Sequence, residues 1–411
     1  MKVTALSLHQ MGDPSCYREA VRSLEYMIPE NVSDIDCFVH DAGLPFPDYL
    51  KRLPFDLIIL GPTFLGNRQN KRSYEKVLLN YDFIRSSSAT KVALPQDDYD
   101  CSARLEEWLL KWNVDRVYSV CADQTDELYK EYSKVGEVKV GYTCYISQKW
   151  IDSWEQPRHH QSRSIDVSYR THDLSAMRCS LRNLKFAIAA RFSNEMNRVA
   201  PKLNLDISSS LRDLIPGTEW HDFMEDSKFC LSTPSGSSVL DETGGVRQAV
   251  EGFCNAHQEA SFEEVQKGCL KDLEEIQYTM ISPRNIEAAL AETVQIATPG
   301  KYSGLMHPMV HYIPLEEDCS NIASVFEMMK NAALVKEIQS NCKNSILSEP
   351  RLRVQNMASE LVDFALYNQK AKNIPLSRIG NQDGLIQRHS EDMALSRKQI
   401  RQKNSSIESS R

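Results

Sequence analysis

The residues that could do chemistry in this chain sit where its apolar runs end. Gln96-Asp97-Asp98-Tyr99-Asp100 follows the run KVALP, and His9 closes the run VTALSLH. A polar residue at a strand exit stands in the ligand crevice of a parallel α/β sheet. A carboxylate or imidazole placed there can take a proton from a substrate hydroxyl. Asp97, Asp98 and His9 are therefore the candidate bases. Acidic residues just ahead of ARLEEWLL would equally suit the cap of the helix predicted there. Ser235, Gly236 and Ser237 follow the run KFCLSTP. They could present backbone amides to a phosphate, or simply turn the chain. Ser282 is a good N-cap, Pro283 stands at the first helical position, and Glu287 projects beside the apolar stripe of Ile286, Ala289 and Leu290.

The elements that must position these residues alternate. KVTALSLHQ, IDCFVHD, FDLIILG, KVALP, VDRVYSVC and EVKVGYTCYI predict strands. Segments with helical spacing separate them, so residues 1–155 predict a doubly wound α/β domain. DSWEQPRHHQSRS is polar and aperiodic and is expected to link two domains. IDVSYR then opens a second α/β domain over 165–345, followed by the amphipathic helix LRNLKFAIAARFSNEM. In that second domain TVQIAT and MVHYIPL predict strands, and 248–272 predicts charged helix. A C-terminal helix is expected over 346–369. From Lys370 to Arg411 the chain is basic and polar with isolated apolar residues, and is expected not to pack.

Composition narrows the class. At 411 residues the chain exceeds one ordinary core, and 41% hydrophobic with 25% charged residues is that of a soluble globular protein. No run approaches the roughly 20 apolar residues of a membrane helix, so a cytoplasmic protein is expected. The net charge of −8 gives no reason to expect nucleic acid as a partner. The 11 cysteines show no CxxC pair, and the 10 histidines show no HExxH, so no metal or other cofactor is expected. With 16 glycines and neither GxGxxG nor a Walker loop, any bound phosphate must be held by helix N-termini and by Arg or Lys.

The stretch YTMISPRNIEAALAETVQIATPGKYSGLMHPMVHYIPLEEDCSN, residues 278–321, resembles the C-terminal half of GT-B glycosyltransferases. The likeness is to the bacterial surface-polysaccharide, group-1 and spore-coat-related kind. It covers residues 165–330 well and the N-terminal domain loosely, through its QDDY segment. It implies two Rossmann-like domains facing across a cleft, the N-terminal one for the acceptor and the C-terminal one for the nucleotide-sugar donor. By the same resemblance Glu287 accepts hydrogen bonds from both ribose hydroxyls. Two carboxylate oxygens do match the two donors of a vicinal diol. Arg170, at the end of IDVSYR, matches the residue that faces the diphosphate, with Lys185 and Arg182 as further candidates. Ser235–Ser237, Ser282 and Arg284 complete the implied donor site.

Retaining members of the family carry a second acid eight positions before the ribose glutamate, where this chain has Thr279. Inversion is therefore expected, with Asp97, Asp98 or His9 as the base. Asp98-Tyr99-Asp100 also imitates the metal-binding DxD of the other large glycosyltransferase fold. The expected partners are a nucleotide-sugar and an oligosaccharide or lipid-linked glycan acceptor of surface polysaccharide synthesis. The basic tail suits peripheral contact with the inner membrane face. A nucleotide-sugar epimerase of the same fold, or a non-catalytic nucleotide-binding scaffold, is the alternative.

Overall fold

The computed structural model describes residues 2–12, 17–121, 123–154, 157–171, 180–215, 219–258, 260–274, 276–377 and 382–408. Six strands form the first sheet: β1 (Val3–His9), β2 (Ile35–Asp41), β3 (Leu57–Leu60), β4 (Thr90–Ala93), β5 (Arg116–Ser119) and β6 (Glu137–Val140). They pair in the order β2-β1-β3-β4-β5-β6, and every pair is parallel. All seven residues of β1 are buried, as a strand covered on both faces requires. Its period of two shows in the packing. Val3 and Ala5 enter one apolar cluster with Ile59 and Val92, whereas Leu6 and Leu8 enter another with Phe64, Trp108 and Trp112.

The second domain contributes β7 (Ile165–Arg170), β8 (Leu205–Ser208), β9 (Ser227–Ser232), β10 (Ser235–Ser237), β11 (Tyr278–Met280), β12 (Val294–Ala297) and β13 (Ile313–Pro314). Five of these form a second all-parallel sheet in the order β13-β12-β9-β7-β8, while β10 and β11 pair antiparallel. The chain is thus two Rossmann-like domains in tandem, the arrangement expected of a GT-B fold. Within 248–272 the helical segments Gly245–Ala256, Phe262–Val265 and Gln266–Leu270 share a small core of their own, Val250, Val265 and Leu270.

Two polar segments carry structure, one expected to link the domains and one expected not to pack. Within 151–164, Trp154 is buried and stacks on His221 with ring centroids 3.7 Å apart. Arg163 is also buried, and its guanidinium donates to the carbonyls of Ser227 (2.8 Å) and Ala291 (2.7 Å) and to Thr293 Oγ1 (2.9 Å). The larger difference lies beyond Lys370. The expectation that this tail does not pack is corrected: Gln382–Glu408 is a helix laid along β2. Gln382 Nε2 donates to Thr4 Oγ1 (2.8 Å), His389 Nε2 to the Val39 carbonyl (3.1 Å), and Arg397 Nη2 to Asp41 Oδ2 (3.2 Å). The helix therefore rises alongside the strand toward its exit. Leu385, Ile386 and His389 share one helical face, and the first two pack against the first domain's core. β2 is an edge strand, and a helix that covers it removes an exposed edge. The preceding helix, Val354–Ala371, also returns to the first domain, where Gln369 Nε2 donates to the Asp56 carbonyl (3.1 Å).

Candidate functional site

Counted within its own domain, each sheet follows the strand order 2-1-3-4-5, extended by β6 in the first. Such sheets bind ligands where consecutive connections leave in opposite directions, between strands one and three. The exits that matter are those of β1 and β3 (His9, Gln10, Gly61, Thr63) and those of β7 and β9 (Arg170, Ser232, Thr233). Residues 13–16 and 172–179, which follow β1 and β7, lie outside the described residues.

On the second domain the site is built by the helix Pro283–Leu290. Ser282 caps it: its Oγ accepts the Asn285 N–H (3.4 Å) and donates to Asn285 Oδ1 (2.7 Å). Ser282 thus serves the helix start itself. One turn on, Glu287 is 3% exposed, and its Oε2 accepts the Trp220 indole N–H at 2.8 Å. Burial pushes its carboxyl above the usual range, against the pull of Arg18, the Trp220 bond and Arg284. Arg18 comes from the first domain, and its guanidinium stands 4.2 Å over the Trp220 ring. Burial lowers its affinity for the proton, and Glu287 opposes that. Arg284 stands 5.0 Å over Tyr169 and 5.6 Å from Trp220, and its Nη2 donates to the Arg170 carbonyl (2.5 Å). Its Nε is buried without a hydrogen-bond partner among the described residues.

Arg170 lies at the β7 exit, but its guanidinium turns into its own domain. It donates to Asp206 Oδ1 (2.7 Å) and to the carbonyls of Asp206 (2.8 Å) and Asp213 (3.1 Å), and one face covers Phe223 at 4.5 Å. Asp206 is on the neighbouring strand β8, a pairing with no local signal. Lys185 Nζ lies 3.4 Å from Ser235 Oγ. Ser235, Gly236 and Ser237 form β10 against Met280, Thr279 and Tyr278. At Gly236 φ is 131°, and a Cβ there would lie 1.6 Å from the Tyr278 carbonyl oxygen. Glycine is therefore required by the close approach of β11. The side chain of Arg182 lies outside the described residues.

On the first domain, His9 is fully buried at the β1 exit. Its Nδ1 accepts the Met11 N–H (3.2 Å), which leaves the ring proton on Nε2, 3.4 Å from the Tyr26 hydroxyl. Burial lowers its pKa to about 4, against the pull of Asp41 and with Arg397 adding to the burial effect. Asp41 is beside it at the β2 exit, bonded to the Gly43 N–H (2.9 Å) and to Arg397. Glu25 holds the Thr63 N–H at 2.8 Å and the Thr63 hydroxyl at 2.5 Å, and burial raises its pKa to about 7.

The two aspartates lie past the β4 exit and differ. Asp98 is fully buried, accepts the Tyr129 hydroxyl at 2.6 Å, and is pushed up by burial. Asp97 is half-buried with a left-handed φ of 51°, and accepts the Tyr99 hydroxyl. Arg68 pins the loop by donating to the carbonyls of Gln96 (2.7 Å), Asp97 (2.8 Å) and Asp100 (2.9 Å). Neither aspartate caps the following helix, whose N-cap is Cys101 with no side-chain cap bond. Asp100 pairs with Arg247 (2.8 Å) and Asp98 with Tyr129, so the DxD-like pair has separate partners. Among the described residues, His221, Asp222 and Glu225 have ligand atoms close enough together to share an ion, on the seven-residue helix Glu219–Glu225. Sequence reasoning missed Arg18, Trp220, Asp41 and Arg397. Only Asp41, closing the run IDCFVHD, carried the strand-exit signal.

No protein-family model matches the chain, and no curated protein does. Among solved structures it is similar to HepE of Anabaena in complex with UDP and glucose, at 11% identity and TM-score 0.48, covering 89% of this chain and 100% of that one. It is similar to the sucrose-phosphate synthase of Thermosynechococcus elongatus at 12% identity and TM-score 0.49, over 91% of this chain and 100% of that one. A glycosyltransferase of Rickettsia africae is similar at 11% identity and TM-score 0.41, over 90% and 99% of the two chains. At such identities and TM-scores these likenesses carry no argument about chemistry, which rests on the side chains described above.

Proposed function

We propose that this protein is a glycosyltransferase that moves a sugar from a nucleotide-sugar to a glycan acceptor. The observation that supports the reading is Glu287, set by a capped helix near the β7/β9 switch point, where the first domain brings Arg18 over Trp220. In this reading the carboxylate receives the ribose diol, and the second domain takes the donor. The acceptor lies on the first domain near the β1, β3 and β4 exits. Guanidinium groups and the N-terminus of the Pro283–Leu290 helix stabilise the departing phosphate without a metal ion.

Asp97 is the base this reading favours, because it is half-buried whereas Asp98 is sealed against Tyr129. Its left-handed backbone is of the kind held under constraint at functional sites. Attack from the acceptor face would invert the anomeric centre. A surface polysaccharide is the acceptor class implied by the resemblance of residues 278–321. No helix among the described residues is long and apolar enough to cross a membrane.

The reading is tested by a thermal-shift screen against UDP-, GDP-, dTDP-, ADP- and CMP-sugars, followed by transfer assays with oligosaccharide and lipid-linked acceptors. Stabilisation by one nucleotide class and sugar transfer from it are expected. A protein that binds no nucleotide-sugar, or binds one and converts it without an acceptor, would overturn the reading.

A further inference from the structure

Among the described residues, the cation expected at the diphosphate is engaged elsewhere, and the Arg182 side chain lies outside those residues. Arg170 is the residue the resemblance pointed to, yet its fork is spent on Asp206 and on backbone carbonyls. Lys185 reaches toward Ser235. Two other guanidinium groups converge on the Trp220 indole: Arg18 at 4.2 Å and Arg284 at 5.6 Å from the ring. The carboxylate acting on both, among the described residues, is Glu287. Among the described residues the cluster therefore holds two half-buried cations against one buried anion. An unbalanced buried charge is costly, and an anionic ligand is what offsets it. The buried, unpartnered Nε of Arg284 is a second sign that the cluster is completed from outside.

We propose that Arg18 and Arg284 form a guanidinium clamp, one arm from each domain, for the diphosphate of a nucleotide-sugar donor. The inference rests on the donor reading of Glu287 and adds the phosphate partner to it. Arginine suits the task because its planar fork meets two phosphate oxygens at once. Because Arg18 precedes the first helix of the N-terminal domain, diphosphate binding ties that domain to the donor domain. The donor's phosphates would thus draw the acceptor side toward the reacting sugar.

The test compares nucleoside diphosphates with nucleosides, titrated to millimolar concentrations against the full chain. UDP, GDP, ADP and dTDP are each paired with their nucleoside. Arg18→Gln is expected to lose about ten- to a hundredfold in affinity for the diphosphate, with the matching nucleoside unchanged. Arg18→Lys keeps a charge without the fork and should fall between. Glu287→Gln should weaken diphosphate and nucleoside alike. If Arg18→Gln weakens both ligands equally, Arg18 only supports Trp220 and the clamp is overturned. Unchanged diphosphate affinity also overturns it, while the Glu287 reading stands. Wild-type protein that binds neither ligand of any pair sinks both.

Discussion

Replacing Glu287 by glutamine is the sharpest perturbation of this site, because it changes charge while nearly preserving shape. Trp220 Nε1 lies 2.8 Å from Glu287 Oε2, and an amide oxygen at the same place keeps that bond. The fold should therefore change little. A hydroxyl bonded to a carboxylate contributes about 1.5–3 kcal/mol and one bonded to a neutral acceptor about 0.5–1.5 kcal/mol. An amide has a single acceptor oxygen, so one ribose hydroxyl keeps at most a neutral acceptor, a loss of about 1 kcal/mol, and the other meets the NH2 group and loses its bond, about 2 kcal/mol; together they weaken nucleoside binding about a hundredfold. Alanine removes both bonds and also strands the buried indole N–H, which costs about 1–3 kcal/mol of stability. Calorimetric titration with nucleosides and their 2′,3′-dideoxy counterparts isolates the diol. Wild type should prefer the ribose strongly, and the glutamine variant only weakly. Equal affinity of wild type for a nucleoside and its dideoxy form would refute the ribose role, as would a glutamine variant that binds like wild type.

Three further outcomes are expected. Asp97→Asn should lower turnover by about 10²–10⁴-fold with donor affinity unchanged, and the product should carry the inverted anomeric configuration. Asp98→Asn should instead lower the melting temperature, since it disturbs the buried bond to Tyr129, and a normal Tm with lost turnover would reverse the two roles. His9 binds its proton more weakly in the fold (pKa about 4) than a free imidazole does (about 6.5), so stability should fall as pH drops from 6.5 to 4, by up to about 3 kcal/mol. His9→Gln should flatten that part of a denaturation profile, and an unchanged slope would show that burial does not hold the ring neutral. Ending the chain at Ser377 removes the helix over β2 and its Arg397–Asp41 bond, so Tm should drop by several degrees and the exposed edge should promote association on size-exclusion chromatography. A truncated chain that stays monomeric with an unchanged Tm would show that the helix contributes nothing to the fold.

Much of this architecture was legible along the chain. The strands at VTALSLH, IDCFVHD and IDVSYR stand where their apolar runs predict them. The helix bearing Glu287 starts at the Ser-Pro pair that announces it. These features depend on backbone preferences and on periodicity over a few residues, which a sequence carries in full. The directions of the side chains were decided elsewhere. Arg170 ends its strand as expected, yet Asp206 on the adjacent strand turns its guanidinium away from the crevice. Asp97 and Asp98 are neighbours of the same type, yet Asp98 is sealed against the Tyr129 hydroxyl while Asp97 stays half-buried with the Tyr99 hydroxyl as its partner. Arg18, Trp220 and Glu287 come together only because two separately folded sheets meet at their strand exits. The tail looked too polar to pack because its few apolar residues are sparse. It packs because β2 is an edge strand, and Leu385, Ile386 and His389 share the face that meets it. A chain's local energetics set which elements form, whereas the donors, acceptors and open edges left by distant elements set what each side chain finally touches.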